Sequence, residues 1–349
     1  MKNNPDTLSC VGTGLLALDV IISTETNNST TFLAGGSCGN VLTILSFLGW
    51  NCFPVARLSN NVATEVLLED LERWGVKPLL ISTLKDGSTP IIIHRILKDK
   101  EGKAKHRFEF KNPEDGKYLP SYKPFLSKKI NDIFEKKQKT DVFFFDRVSR
   151  AAIDMAKYYK KKDAVVVFEP SNLKDYKGFE ESLSLADIVK FSDERISNYD
   201  ILYPVAKVPL EIQTMGENGL KFRKKGNRKW TNLNSFRIEN VLDTAGAGDW
   251  ATAGIINELF RNGKNLNLLS DEKIIQALKL GQILSALNCV FEGARGLMYS
   301  MSATDLLSFA YSIFESETLE IPKLSDYTNS HKELHRKVKI STLFESQAY

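Results

Sequence analysis

The sequence predicts a layered α/β fold built on a mostly parallel sheet. Short apolar runs typical of buried strands alternate along the chain with longer segments in which apolar residues recur at helical spacing. This alternation is typical of strand–helix–strand units, whose consecutive strands are parallel. The 349 residues exceed a typical domain, yet α/β folds of this length often form one main unit. We therefore expect a single domain over residues 1–349.

The first part of the chain contains one predicted strand and two predicted helices. Cys10 to Ile22 is nearly all apolar, as a strand buried on both faces is. A helix is expected from Asn40 to Leu48, because Gly49 is the kind of residue that ends a helix. A second helix is expected from Asn61 to Trp74, since its apolar residues lie on one face.

The rest of the chain continues the alternation. The predicted strands are Val142 to Phe145, Val165 to Phe168 and Asp187 to Phe191, followed by a strand at Glu211 to Met215 with a hairpin partner at Gly219 to Arg223. The predicted helices are Ala151 to Tyr159, Ala247 to Asn262, Asp271 to Phe291 and Ala303 to Phe314.

Two segments interrupt this pattern. Ser23 to Leu33 is polar and rich in threonine, whereas Ile91 to Phe110 alternates apolar and polar residues on either side of Asp99-Lys100-Glu101-Gly102. Alternation around such a polar turn predicts a β-hairpin. On that hairpin His94, Arg95, His106 and Arg107 are placed to reach an anionic or polyhydroxy substrate, although solvent-facing charges are the favoured interpretation.

Composition excludes several classes of protein. The net charge of +4 is small and the basic residues are dispersed, so no nucleic acid partner is expected. No charged-then-apolar N-terminal signal and no apolar run of about 18 residues occurs, which predicts a cytoplasmic protein without a membrane partner. The four cysteines, with no C-x-x-C pair, are expected to be small buried thiols.

The run Asp243-Thr244-Ala245-Gly246-Ala247-Gly248-Asp249 opens a predicted helix and carries the strongest functional signal. Glycines let the backbone approach a ligand, and the free amides of a first helical turn bind anions. Asp249 would repel a phosphate unless it accepts a proton from an incoming hydroxyl. The run therefore indicates phosphoryl transfer to an alcohol, with Asp249 ionised at neutral pH because the helix dipole favours its anion. The alternative is a tight turn with a capping aspartate.

A second run, Gly35-Gly36-Ser37-Cys38-Gly39-Asn40, precedes the helix predicted at Asn40. The two runs, in this order, resemble the G-G-x-x-x-N element and the C-terminal signature of the ribokinase-like (PfkB) carbohydrate kinases. The resemblance implies a ribokinase-like three-layer α/β/α sandwich with a mostly parallel central sheet and a small β lid. Lid segments are expected at about 20–34 and 88–112, and 322–349, with its basic stretch His331 to Lys339, forms a C-terminal extension.

The resemblance also implies an activity, ATP-dependent phosphorylation of a hydroxymethyl group of a sugar or sugar acid. It implies ATP and Mg²⁺ as cofactors, a small-molecule substrate, and a lid whose strand edges make a homodimer a candidate assembly. The implied catalytic residues are Asp249 and the amide-bearing Gly246, Ala247 and Gly248. The implied substrate-binding residues are Asp19, Gly35, Gly36 and Asn40. The implied nucleotide-binding residues are Thr214, Gly216, Gly219, Thr244, Ala245 and Gly293.

One segment departs from the family pattern. After the strand that ends at Phe191, the family has N-x-x-E, which holds magnesium through waters, whereas this chain has Ser192-Asp193-Glu194-Arg195. Glu194, or Glu169 in the run Phe168-Glu169-Pro170, is then the candidate metal-associated carboxylate. The departure keeps two alternatives open besides a sugar kinase: a nucleoside kinase of the same fold, and a sugar- or nucleotide-binding regulator that has lost catalysis.

Overall fold

The computed structural model describes residues 7–23, 30–98, 104–236, 238, 241–261, 270–316 and 340–344. Within these residues a nine-stranded sheet has the order β13-β12-β11-β10-β9-β8-β1-β4-β5. Its strands are β1 (Ser9–Thr13), β4 (Asn51–Leu58), β5 (Ile81–Thr83), β8 (Val142–Phe145), β9 (Val165–Phe168), β10 (Ile188–Ser192), β11 (Leu210–Thr214), β12 (Leu220–Lys224) and β13 (Thr231–Leu233). All neighbours from β11 to β5 are parallel, and only β12 and β13 pair antiparallel. The mostly parallel central sheet is therefore confirmed.

Helices cover both faces of this sheet. They are α1 (Ser37–Phe47), α2 (Val62–Arg73), α3 (Ile130–Glu135), α4 (Arg150–Lys160), α5 (Tyr176–Leu185), α6 (Tyr199–Leu202), α7 (Ala247–Arg261), α8 (Asp271–Asn288) and α9 (Ala303–Ser316). One buried apolar core joins α1, α2, α7, α8 and α9 to one face of the sheet. A second core joins α3 to α6 to the other face. The three-layer α/β/α sandwich predicted above is thus the architecture of the described chain.

A smaller sheet of four strands has the order β3-β2-β6-β7, formed by β2 (Ala17–Ser23), β3 (Thr30–Gly35), β6 (Ile91–Lys98) and β7 (Ala104–Glu109). The predicted hairpin is β6 and β7, which pair antiparallel, while its turn at 99–102 lies outside the described residues. The polar stretch Ser23 to Leu33 contributes most of β3, in the segment at about 20–34 that the resemblance assigned to a small β lid. That this sheet acts as a lid over a substrate remains a prediction.

The first predicted strand is wrong as a single element. Cys10 to Ile22 forms β1 in the large sheet and β2 in the small one, with a turn at Gly14-Leu15-Leu16. The amide of Leu15 leaves the strand ladder and donates to Asp146 Oδ1 at 2.9 Å. Because both strands and the turn between them are largely apolar, the hydrophobic pattern contains no sign of the break.

The other element boundaries differ from the predictions by a few residues. The first helix begins at Ser37 rather than Asn40, and α8 ends at Asn288 rather than Phe291. The second helix has Asn61 as its N-cap, whose side chain accepts from the Thr64 amide at 3.0 Å. Strand β4, which lies in the large sheet, was missed because Pro54 and polar Arg57 interrupt its apolar run.

Three further expectations concern the cysteines, membrane-spanning helices and the C-terminal extension. The four cysteines are buried and free, as predicted. Among the described helices, none is both long enough and apolar enough to cross a membrane. The C-terminal extension is described only at 340–344, and the basic stretch His331 to Lys339 lies outside the described residues.

Candidate active site

The turn that precedes α7 is held by Asp243. One carboxylate oxygen of Asp243 accepts from the amide of Ala245 at 2.7 Å, and the other accepts from the amide of Gly293 at 2.8 Å. Gly246 has φ +73°, and a Cβ there would lie 2.3 Å from the carbonyl oxygen of Ala294. Only glycine therefore fits this turn, which begins a helix beside the chain that follows α8.

The amides of this turn do not all act as the resemblance implies. Ala245 donates to Asp243, and Ala247 donates to the carbonyl oxygen of Thr244 at 3.2 Å. Within the described part of the chain, the amides of Gly246 and Gly248 donate to no protein atom. Among the amides from Ala245 to Gly248, those of the two glycines are therefore available for an anion, whereas those of Ala245 and Ala247 stabilise the turn itself.

Asp249 lies in the first turn of α7 and is held by a residue from the other end of the chain. The side-chain amide of Asn40, in the first turn of α1, donates to Asp249 Oδ2 at 2.8 Å. The other polar atom of that amide, Asn40 Oδ1, is buried and has no partner among the described residues. A buried acceptor without a partner costs free energy, so a ligand hydroxyl at this point would satisfy it.

The sequence predicts that the helix dipole keeps Asp249 ionised at neutral pH, but its surroundings in the structure favour the protonated form more strongly than expected. Burial, with the nearby Glu169 carboxylate, raises the pKa of Asp249 to about 7. The Asn40 hydrogen bond and the cations of Lys190 and Arg195 oppose this rise. Desolvation outweighs the helix dipole because it acts on the whole charge, whereas the dipole acts as a partial charge.

Asp19 lies on β2, opposite Leu33 on β3, and its carboxyl group lies against Gly35 of the same strand. A Cβ at Gly35 would lie 1.9 Å from Asp19 Oδ2, so the missing side chain provides the space for this carboxyl group. Burial raises the pKa of Asp19 to about 7, while the cation of Arg295 opposes the rise. Gly36 is the N-cap of α1, which carries Asn40 on its first turn. The four residues predicted to bind substrate therefore lie on adjoining segments.

Lys190 is a residue that the sequence interpretation passed over. It lies on β10, 3% exposed, and donates to Glu169 Oε1 at 2.9 Å and to the carbonyl oxygen of Gly248 at 3.0 Å. The signal for it was present, because a lysine inside the apolar run Ile188–Ser192 must be buried and must have partners.

The two carboxylates predicted to be associated with a metal through water lie in different environments, and that association remains a prediction. Glu169 is fully engaged, since Lys190 binds one oxygen and the hydroxyl of Thr252 donates to the other at 2.5 Å. Glu194 is exposed at the end of β10. In the described ranges, no three His, Cys, Asp or Glu residues are grouped so that they would hold an ion.

The predicted nucleotide-binding residues lie in three places. Thr214, Gly216 and Gly219 form the end of β11 and its turn into β12, where the Met215 amide donates to the carbonyl oxygen of Gly219 at 2.8 Å. Thr244 is exposed in the turn before α7, and Gly293 is joined to that turn through Asp243. The structure thus brings Gly293 and Thr244 together. The turn between β11 and β12 is separate from them, and in the sheet order β11 is two strands away from β9, the strand that Glu169 follows.

The hairpin residues have different environments. His94 is buried and stacks on Phe108 with the ring centres 4.7 Å apart, so the expectation of a solvent-facing charge is wrong for this residue. Arg95 forms an ion pair with Glu109 at 2.9 Å, and Arg107 is 67% exposed in its side chain. The side chain of His106 lies outside the described part.

Comparisons with known proteins give structural matches only. No protein-family model matches the chain, and neither does any curated protein. Among solved structures, a 2-dehydro-3-deoxygluconokinase from Thermotoga maritima matches with a TM-score of 0.66 at 14% identity, over 87% of this chain and 99% of that one. A fructokinase from Vibrio cholerae O395, bound to fructose, ADP and calcium ion, matches with a TM-score of 0.65 at 18% identity, over 87% of this chain and 100% of that one. A nucleoside kinase from Burkholderia thailandensis, in complex with inosine, matches with a TM-score of 0.62 at 16% identity, over 88% of this chain and 97% of that one.

These neighbours define the class of the fold. The mostly parallel nine-stranded sheet, the helices on both faces and the small four-stranded sheet are the ribokinase-like architecture. The chain has the fold of the ribokinase-like carbohydrate kinases, as its two motifs predicted.

Proposed function

We propose that this protein is an ATP-dependent kinase that phosphorylates a hydroxymethyl group of a sugar or sugar acid. The observation that carries the proposal is the hydrogen bond between Asn40 and Asp249, at 2.8 Å. It joins the two sequence motifs, which are 209 residues apart in the chain, at one point. Sugar, sugar-acid and nucleoside kinases among the structural neighbours support the same reaction class.

The proposed reaction assigns a task to each polar group. The acceptor hydroxyl donates its proton to Asp249, and its oxygen forms a bond to the γ-phosphorus of ATP as the bond to the bridging oxygen of ADP breaks. A base with a pKa of about 7 suits this transfer, since the carboxylate and the protonated acid are both populated at neutral pH. The amides of Gly246 and Gly248 then stabilise the oxygens of the moving phosphoryl group, a contribution of about 3 kcal/mol for each preorganised donor.

The substrate and nucleotide are positioned by the remaining residues. Asp19 and the vacant acceptor Asn40 Oδ1 bind sugar hydroxyls, with Gly35 and Gly36 allowing the ring to approach the backbone. Thr214, Gly216, Gly219, Thr244 and Gly293 border the nucleotide. Magnesium enters with ATP as part of that substrate, and no step is assigned to an ion bound by Glu169 or Glu194.

The test is a coupled assay of ADP formation with magnesium-ATP against sugars, sugar acids and nucleosides. We expect turnover with a sugar or sugar acid, and we expect Asp249→Asn to lose nearly all turnover while its sugar affinity by calorimetry stays within a few-fold. If a nucleoside is the preferred acceptor, the substrate class is nucleosides and not sugars or sugar acids. Ligand-induced thermal stabilisation without any turnover would instead favour the regulator, and wild-type activity in Asp249→Asn would remove this residue from the mechanism.

A further inference from the structure

Two buried side chains contact the backbone carbonyl that precedes Asp249, and a third buried side chain binds both of them. Lys190 on β10 donates to the carbonyl oxygen of Gly248 at 3.0 Å. The hydroxyl of Thr252 on α7 shares its single proton between this carbonyl oxygen, also at 3.0 Å, and the carboxylate of Glu169. Glu169, at the end of β9, accepts from both of them, at 2.9 Å from Lys190 and 2.5 Å from Thr252. We call these three residues the Gly248 support. Their exposures are 3%, 5% and 2% for Lys190, Glu169 and Thr252, so the whole arrangement is shielded from water.

Such an arrangement is a poor way to gain stability. Removing two charges from water costs several kcal/mol per ion, and their attraction regains this only where the geometry is good and the remaining polar atoms are satisfied. Here both oxygens of Glu169 have donors, and Lys190 has two acceptors. The ion pair also joins the sheet to the first turn of α7, so its partners control the position of that turn.

Holding the carbonyl of Gly248 determines the direction of the next amide. The carbonyl oxygen of Gly248 and the amide of Asp249 belong to one planar trans peptide, in which C=O and N–H point in opposite directions. Because the support holds the oxygen on the sheet side, the amide of Asp249 points out of the helix start, where the amides of Gly246 and Gly248 also lie. The same contact therefore orients the backbone from which the Asp249 carboxyl group extends.

The support also carries the charges that act most directly on Asp249. Glu169 is its strongest charged neighbour and favours the protonated acid, while Lys190 and Arg195 favour the carboxylate, as does the Asn40 amide. Asn40 lies on α1 and Lys190 on β10, whereas Glu169 and Arg195 lie in the segments that follow β9 and β10. A change in one member of the support thus alters both the geometry and the titration of Asp249.

We propose that Lys190, Glu169 and Thr252 act together as positioning residues for the phosphoryl transfer, fixing the first turn of α7 so that Asp249 and the glycine amides face the acceptor and the donor. This inference rests on the proposed function for its role in catalysis. None of the three residues touches the reacting atoms, since each acts through Gly248 or Asp249.

The experiment compares three variants with the wild type: Glu169→Gln, Thr252→Val and the double variant Lys190→Met/Glu169→Gln. We expect kcat to fall by about tenfold to a hundredfold in Glu169→Gln with KM for the sugar little changed, because displaced catalytic groups cost that much. Its acid limb in the pH profile moves to lower pH, since Lys190 then lacks its counter-charge and favours the Asp249 carboxylate.

Thr252→Val is the matched control, because it removes hydrogen bonds from the same two acceptors without altering a charge. We expect a smaller fall in kcat and an acid limb at the wild-type pH. The double variant removes both charges and is expected to combine a low kcat with a limb close to that of the wild type. Thermal melts establish that each variant is folded. In Glu169→Gln the new side-chain oxygen and the carbonyl oxygen of Gly248 can still accept from Lys190, whereas the single Lys190 variant is avoided because it leaves the Glu169 carboxylate buried without a cation.

A second readout separates this inference from the proposed function. Carbon-13 NMR titration of the Asp249 carboxyl group, assigned by its loss in Asp249→Asn, reports the same shift without any substrate. An unchanged titration in folded Glu169→Gln, or wild-type kcat in the double variant, overturns the inference. A shifted titration in a protein that phosphorylates none of the acceptors would instead overturn the proposed function while retaining the control of Asp249 by the support.

Discussion

At the scale of single residues, Asp249 shows how burial changes the meaning of a motif. Its position at a helix start predicts a strongly acidic group, yet desolvation and the Glu169 carboxylate raise the pKa of this carboxyl group to about 7. The reaction proposed above uses the carboxylate form. The raised pKa therefore makes activity depend on pH in the neutral range rather than only in strong acid.

The first prediction is an acid limb of kcat/KM near pH 7. Below this pH Asp249 is protonated in the free enzyme and cannot accept the acceptor's proton, so kcat/KM falls as the pH is lowered and reaches a plateau above it. The measurement is initial rates from pH 5 to 9. Because the pKa of Asp19 is also raised to about 7, the control is Asp19→Asn, which should raise KM and keep the limb. A wild-type limb below about pH 5 would contradict the assignment.

The second prediction concerns Gly246→Ala. Its Cβ would meet the carbonyl oxygen of Ala294 at 2.3 Å, which forces the turn before α7 to move. We expect kcat to fall by about tenfold or more, because the amides and Asp249 move with the turn. Gly226→Ala is the matched control: its φ of +86° imposes similar backbone strain, but nothing lies within 4 Å of the added atom. Equal activities in the two variants would show that strain alone matters.

At the scale of elements, the helix that carries Asp249 is held by an unusually close neighbour. Helices α7 and α8 approach where Gly254 and Gly281 face each other, and a Cβ at Gly254 would lie 3.0 Å from Gly281 Cα. A Cβ at Gly281 would lie 2.6 Å from Ile255 Cγ1 and 2.7 Å from the carbonyl oxygen of Ala251. Small residues at both positions let the two backbones pack directly.

Gly281→Ala should therefore destabilise the protein although alanine favours helix. Added volume in a packed interface costs about 1–3 kcal/mol, more than the gain of about 1 kcal/mol in helix propensity. Urea unfolding followed by circular dichroism measures the difference. Lys273→Ala, an exposed change in the first turn of the same helix, is the control and should be near neutral. A gain in stability for Gly281→Ala would mean that the helices separate at little cost.

At the scale of the whole molecule, a buried ion pair joins segments from opposite ends of the chain. Arg295, after α8, is 1% exposed and donates to Asp70 Oδ2 on α2 at 2.5 Å. The same oxygen accepts from the amide of Ala34 on β3 at 2.8 Å. Since Ala34 precedes Gly35 beside Asp19, the pair connects the predicted substrate site to the chain that follows Gly293.

Arg295→Met should cost about 3–5 kcal/mol in the free energy of unfolding, because it leaves the Asp70 carboxylate buried without its cation. Arg295→Met/Asp70→Asn removes both charges and keeps an oxygen that accepts from Ala34, so much of this loss should be recovered. Urea unfolding of the wild type and the two variants measures it. A double variant no more stable than the single one would show that the loss comes from packing and not from charge.

Much of the fold could be predicted from local pattern. The predicted bounds of the strands Val142–Phe145 and Val165–Phe168 are those of the structure. A short apolar run bounded by polar turns indicates a buried strand in a layered α/β chain. The separation of Cys10 to Ile22 into β1 and β2 could not be predicted, since the two strands pair with different distant strands, and the turn between them is bound by the distant Asp146, which accepts from the Leu15 amide.

The sequence by itself determined the fold class, the two motifs and the aspartate in the first turn of α7, because hydrophobic periodicity and glycine turns are local properties. The tertiary structure decided that Asn40 contacts Asp249, that the amide of Ala245 donates to Asp243, and that Glu169 pairs with Lys190. It also decided the pKa of Asp249. Desolvation and charge pairing depend on which distant groups share a buried volume, and no local pattern encodes that.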